Sequence, residues 1–156
     1  MKIKKVFMLL AAATLLAACD PGFDEEYIID NQSSHDIVFV WSGGWRYYPY
    51  ENGPRFDGTY PVAAGQKVTM PFNGGIGSTN CDGVIYNSRY ILMGDSVQFI
   101  VDGIDTLTFL AIDTLGADSP YNFNSLRYTC DELIGNHHSY ASLTFRIDDA
   151  MLTTAR

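Results

Sequence analysis

Residues 96–109 read Ser96-Val97-Gln98-Phe99-Ile100-Val101-Asp102-Gly103-Ile104-Asp105-Thr106-Leu107-Thr108-Phe109. Two runs rich in β-branched and aromatic residues flank Asp102-Gly103. Asp-Gly accepts the positive φ angles of a type I′ turn, so the stretch predicts a tight hairpin. The same two-residue period recurs on either side of it. Val68, Met70 and Phe72 alternate with polar positions in 67–72, and Leu143, Phe145 and Ile147 do so in 143–147. Ile37-Val38-Phe39-Val40-Trp41 is apolar on both faces and reads as a central strand. Seven to nine strands follow, near 26–30, 35–41, 45–50, 59–62, 67–72, 84–93, 96–101, 104–110 and 140–147. Gly/Asn/Asp clusters separate them, which predicts an all-β fold: an antiparallel β-sandwich, immunoglobulin-like or related. Asp148 to Leu152 predicts a short capped helical turn. No linker or repeat divides residues 27–156, which read as one domain.

The 156 residues carry 10 Lys+Arg against 18 Asp+Glu, for a net charge of −8, and 47% are hydrophobic. That much apolar material excludes a disordered chain. The acid excess argues against nucleic acid, whose affinity comes mainly from clustered cations. At the N-terminus, Lys2, Lys4 and Lys5 form a basic region ahead of the apolar stretch Val6 to Ala18. This stretch is far shorter than the ~20 residues of a membrane-spanning helix, so residues 1–18 read as a targeting segment. Leu16-Ala17-Ala18-Cys19 resembles a bacterial lipobox, in which cleavage leaves Cys19 at the new N-terminus carrying acyl chains. The alternative is an ordinary secretory signal with Cys19 incidental. Loss of residues 1–18 leaves seven cations against 18 acids, a net of −11, with Lys67 the one remaining lysine. Residues 19–26 then read as the lipidated end and a short acidic tether, Asp20-Pro21-Gly22-Phe23-Asp24-Glu25-Glu26.

That tether partly resembles the surface-export signal of lipoproteins from gut-commensal Gram-negative bacteria, although Pro21-Gly22-Phe23 interrupts its acids. Surface exposure on the outer membrane is favoured over a periplasm-facing address. Further residues extend the resemblance: Tyr27-Ile28-Ile29-Asp30-Asn31-Gln32-Ser33-Ser34-His35-Asp36-Ile37, Val62-Ala63-Ala64-Gly65-Gln66, the hairpin from Asp95 to Phe109, and Phe145-Arg146-Ile147-Asp148-Asp149. Together they are similar to the small uncharacterised lipoproteins of those bacteria, in which an Asn-x-Ser-Ser turn follows the first strand. The resemblance implies a sandwich and no particular activity. It also marks Ser96, Thr106 and Thr114 as O-glycosylation candidates, since each follows an Asp and precedes an apolar residue.

Cys81 and Cys130 form an even pair in an exported chain, which is read as a disulfide or as two separate buried thiols. A bridge would close a loop worth roughly 4 kcal/mol in the entropic account. The densest chemical feature is 41–52, with Trp41, Trp45, Tyr47, Tyr48 and Tyr50 among ten residues. Flat rings cover sugar C–H faces, and Arg46 could bond hydroxyls, so these six side chains are ligand-binding candidates. The competing reading packs alternate rings into the core.

Other constellations carry little chemistry. Asp57, Asp82 and Asp102 each precede Gly in apparent turns, and no calcium-loop spacing is present. His137 and His138 diverge on a strand. The loop Asn73-Gly74-Gly75-Ile76-Gly77-Ser78-Thr79 lacks the Gly-Lys-Ser/Thr of a nucleotide cradle. No nucleophile elbow or zinc-protease motif occurs, so neither a catalytic site nor a metal or other cofactor is expected.

The expected protein is a membrane-anchored, non-catalytic binding module for glycan or another surface ligand. An accessory subunit of a surface protein complex is the alternative. Intact-mass measurement on protein from its native host tests the modifications. A mass exceeding that of residues 19–156 by acyl chains is expected, with hexose-spaced increments if the three acceptors are used. The bare polypeptide mass refutes both.

Overall fold

The computed structural model describes residues 21–42, 58–91, 96–112 and 114–154. Among the described residues eight strands and two helices follow in order: β1 (Gly22–Asn31), β2 (Ile37–Ser42), β3 (Gly58–Val62), β4 (Lys67–Ile76), α1 (Cys81–Ile91), β5 (Ser96–Val101), β6 (Asp105–Leu110), β7 (Tyr128–Ile134), β8 (His138–Ile147) and α2 (Asp149–Thr154). Two four-stranded sheets form a sandwich, sheet A in the order β4-β1-β8-β7 and sheet B in the order β3-β2-β5-β6.

The opening hairpin forms as its Asp-Gly pair requires. Asp102 and Gly103 take φ of 49° and 69°, and Ile104 N–H donates to Val101 C=O at 2.9 Å. Phe99 from β5 then stacks on Phe145 from β8, with centroids 6.1 Å apart, and so joins the two sheets. Tyr27, Ile29, Phe39, Leu143 and Ile147 complete a dry interior, each at most 1% exposed. Strand β2 lies inside sheet B, as its two apolar faces suggest, and α2 is the expected C-terminal helical turn.

Five of the six strand pairings are antiparallel, but β1 and β8 pair in parallel. Side-chain alternation fixes which face a residue takes and says nothing of strand direction. The crossover from β6 to β7 carries the chain back to sheet A, so that β8 runs alongside β1.

Of the strand expected at 84–93, residues 92–93 lie outside the described residues, and residues 84–91 belong to helix α1 instead. Asn80 caps it, its Oδ1 accepting Gly83 N–H at 2.9 Å, with Asp82 in the first turn and Arg89 in the last. Val84 and Ser88, four residues apart, both lie at 0% exposure on its inward face. The β-rich composition of Val84-Ile85-Tyr86 and the presence of Gly83 mask this helical period. Strand β7 escaped detection because its inward row of Tyr128, Cys130, Glu132 and Ile134 includes an acid. Strand β1 begins at Gly22, so Gly22 to Glu26 belong to the sheet and the free tether shrinks. The expected strand at 45–50 lies outside the described residues.

Asn31, fully buried, ties the end of sheet A to sheet B. Its Nδ2 donates to the carbonyls of His35 (2.8 Å), Val62 (3.0 Å) and Ala63 (3.1 Å), and its Oδ1 accepts from Ser33 N–H and Oγ. Asn31→Ala should therefore lower stability by about 3 kcal/mol, since buried carbonyls lose their donor. Urea unfolding checks this, with the midpoint expected to fall at constant m. Asn31→Asp should be worse, because a carboxylate would face those carbonyls.

Candidate ligand-binding surfaces

The sheets place polar side chains at opposite ends of the domain. At the end where β1 and β8 finish, Arg127 precedes β7 and Asp148 follows β8. Arg127 is clamped on two sides: Nη1 meets Asp148 Oδ2 at 2.5 Å, while Nε and Nη2 both meet Asp118 Oδ1 at 2.8 Å. Asp148 Oδ1 meanwhile accepts Met151 N–H at 2.9 Å and caps α2. Desolvation raises the Asp148 pKa, but the bonds from Met151 and Arg127 outweigh it and hold the carboxyl below its ordinary 3.8.

Successive turns knit the segment from Gly116 to Tyr128. Ser119, Asn122, Ser125 and Tyr128 each donate a backbone N–H to the carbonyl three residues earlier. The Asn122 and Ser125 side chains reach back to the carbonyls of Gly116 and Ala117. Between this segment and β8 opens a cleft of about 470 Å³. Asp118, Asn124, Arg146 and Asp148 present donors and acceptors along its wall, and Leu115 and Leu126 stand at its rim, 90% and 94% exposed.

Behind the cleft, Tyr128 OH donates to Pro120 C=O, which leaves Tyr27 OH to donate to Tyr128 at 2.8 Å. Burial, the largest effect, pushes both phenols above their ordinary pKa of 10.0.

The opposite end holds a smaller cavity of about 240 Å³ beside Glu25, which is 1% exposed. Thr79 Oγ1 donates to Glu25 Oε1 and Asn87 Nδ2 to Oε2, the latter at 2.7 Å. A Cβ at position 83 would lie 3.0 Å from Thr79 Oγ1, so Gly83 is what permits this approach. Both carboxylate oxygens thus have partners within the fold, and Glu25 acts here as an anchor for α1.

No family model, curated protein or solved structure matches the chain.

The side chains singled out from sequence are scattered. Trp41 is 2% exposed in the core beside Phe39, so it belongs to packing and is removed from the ligand-binding set. Trp45, Arg46, Tyr47, Tyr48, Tyr50 and Cys19 lie outside the described residues. The sulfurs of Cys81 and Cys130 stand at disulfide distance, with Cα atoms 5.9 Å apart, joining α1 to β7. Thr106 and Thr114 are exposed, whereas Ser96 is half-buried at the start of β5. His138 Nε2 meets Asp24 at 3.0 Å and His35 Nδ1 meets Asp102 at 2.6 Å. Among the described residues no group of three His, Cys, Asp or Glu is arranged to hold a metal ion. Sequence reasoning missed Arg127, Asp118 and Glu25. Arg127 is one of only six arginines remaining after residue 18, which was the available signal.

Both buried phenols have folded-state pKa values raised above the unfolded value. Their contribution is therefore fully present below pH 10 and is lost as pH rises further, by about 1.4 kcal/mol per pH unit for each phenol. Urea midpoints measured above pH 10 should fall, with roughly half that slope in Tyr128→Phe. An unchanged slope would contradict the assignment. Asp148 works in the opposite sense: its folded pKa is depressed, so its contribution is present above about pH 3.8 and is lost as pH falls below it.

Proposed function

We propose that the protein is a lipid-anchored, non-catalytic binding module of the outer membrane surface, acylated at Cys19. Its ligand would be a hydroxyl-rich molecule of glycan type, held in the cleft beside Arg127. The polarity of the domain carries this reading. β1 starts three residues after Cys19 and runs ten residues to Asn31, about 33 Å at ~3.3 Å per residue. The cleft lies at that far end, which would present it away from the membrane. Its pre-paired charges are held rigid by the clamp, and such fixed donors and acceptors suit sugar hydroxyls. Trp45 and Tyr48 belong to 43–57, which departs from Ser42 and returns at Gly58, at the end of sheet B opposite the hairpin tip, and is a separate candidate contact.

A glycan array probed with the full-length protein in detergent tests this. Asn124→Ala/Arg146→Ala should unfold close to the wild-type temperature yet lose at least tenfold in signal, because Arg146 touches the Arg127 clamp only through an exposed 4.0 Å ion pair with Asp148, and such surface pairs contribute little. Trp45→Ala/Tyr48→Ala reports separately on the aromatic segment. Absence of any signal from the intact protein ends the glycan reading.

The nearly full exposure of Leu115 and Leu126 supports a second reading, in which a protein partner covers the cleft as in an accessory subunit of a surface complex. Crosslinking in the native membrane would then recover a stoichiometric protein partner. Recovery of the lipoprotein alone counts against it.

A further inference from the structure

The chain enters sheet A between two exposed apolar corners. Gly22 opens β1 and pairs with Ile76 at the end of β4 on one side and with His138 at the start of β8 on the other. Beyond β8, the end of β7 places Leu133 opposite Tyr140 and Ile134 opposite Ser139. Ile76 is 74% exposed, Leu133 69% and Ile134 66%. Neighbouring strands lie about 4.8 Å apart, so the corners stand roughly 14 Å from one another along the end of the sheet.

Two hydrogen bonds hold the incoming chain down between these corners. Gly77 N–H donates to Pro21 C=O at 2.6 Å, and Gly22 N–H donates to His137 C=O at 3.1 Å. Cys19 precedes Pro21 by two residues, a reach of at most about 7 Å. An acyl group on Cys19 would therefore start within about 7 Å of Pro21, which keeps this edge near the bilayer.

We infer that this end of sheet A is seated on the bilayer that holds the lipid, with Ile76, Leu133 and Ile134 at the boundary between headgroups and acyl chains. The inference rests on the acylation of Cys19 proposed above. Apolar side chains on surface-lying elements bury about 5–10 Å into that boundary, which matches the reach of the anchor. Few acids stand at this edge: Asp24 hydrogen-bonds His138, Glu132 accepts Cys81 N–H at 2.7 Å, and Asp131 lies farther from the end, opposite Ser142.

The test uses the full-length, acylated protein in vesicles of phosphatidylethanolamine and phosphatidylglycerol. Ile76→Cys and Ile134→Cys, each labelled with a polarity-sensitive fluorophore, report on the two corners. Ile104→Cys, at the hairpin tip at the far end and 83% exposed, is the control. Blue-shifted emission is expected at 76 and 134 on reconstitution, with at least twofold stronger quenching by nitroxide lipid than at 104. Vesicle-bound protein with unshifted probes at 76 and 134 overturns the inference and leaves the anchor standing. Protein that does not float with vesicles overturns the anchor reading and this inference with it. A shift at 76 and 134 in Cys19→Ala protein without vesicles would assign the surface to a second copy of the chain and equally overturn it.

Discussion

Strands β1, β4 and β8 each span ten residues, whereas the strands of sheet B span five or six, so sheet B can cover only part of the inner face of sheet A. At ~3.3 Å per residue the uncovered strip is about 13 Å long. Bare apolar residues on that strip would face water. The chain answers in two ways. Helix α1 lies over the strip, packed chiefly on β8 and touching β1 and β7. The strip itself is made partly polar: the register brings Glu25 and Glu132 onto either side of Ala141, in the inward rows that elsewhere carry Tyr27, Leu143 and Tyr128. Each acid then holds the approach to α1, Glu25 through Thr79 and Asn87 and Glu132 through Cys81 N–H. The Cys81–Cys130 pair fixes the same helix to the same strip.

This mismatch also decides what could be read from sequence. Where the sheets face one another, the doubly apolar run, the Asp-Gly hairpin and alternation located β2, β5, β6 and the C-terminal half of β8 within about two residues. Where α1 replaces sheet B, the inward rows carry acids and alternation fails. Hence β1 was expected to start at residue 26, after Glu25, and β7 with Glu132 was missed. The helix itself hides behind Val84-Ile85-Tyr86, whose composition is that of a strand. Its buried positions, Val84 and Ser88, include a hydroxyl with no hydrogen-bond partner among the described residues, so not even a clean apolar stripe marks it. Turn chemistry was the most legible layer, because Asp102-Gly103 and Asn31-x-Ser33-Ser34 specify backbone geometry locally.

The candidate site was less legible for a related reason. Clusters at strand ends are assembled from residues distant in sequence: Asp118, Arg127 and Asp148 meet only because β7 begins where β8 finishes. The aromatic run at 41–50 drew attention by its density. Strand alternation takes its first member, Trp41, into the core, and density along the chain carries no information about which face a ring takes.

Net charge alone does not set how such a domain would stand on a membrane. The −11 carried after residue 18 would repel an anionic surface as a whole, yet at physiological ionic strength fields decay over about 8 Å. The Arg127 cleft and its acids, about 33 Å along β1 from Gly22, lie several decay lengths beyond the edge. Only the charges near Gly22 bear on contact, and these are few: Asp20 in the chain, Asp24 hydrogen-bonded to His138, and Glu132 accepting Cys81 N–H. In the proposed orientation, repulsion from the remaining acids acts on the flanks and the far end. It resists tilting while leaving the apolar corners free to touch lipid, so acidity and anchoring favour the same upright pose.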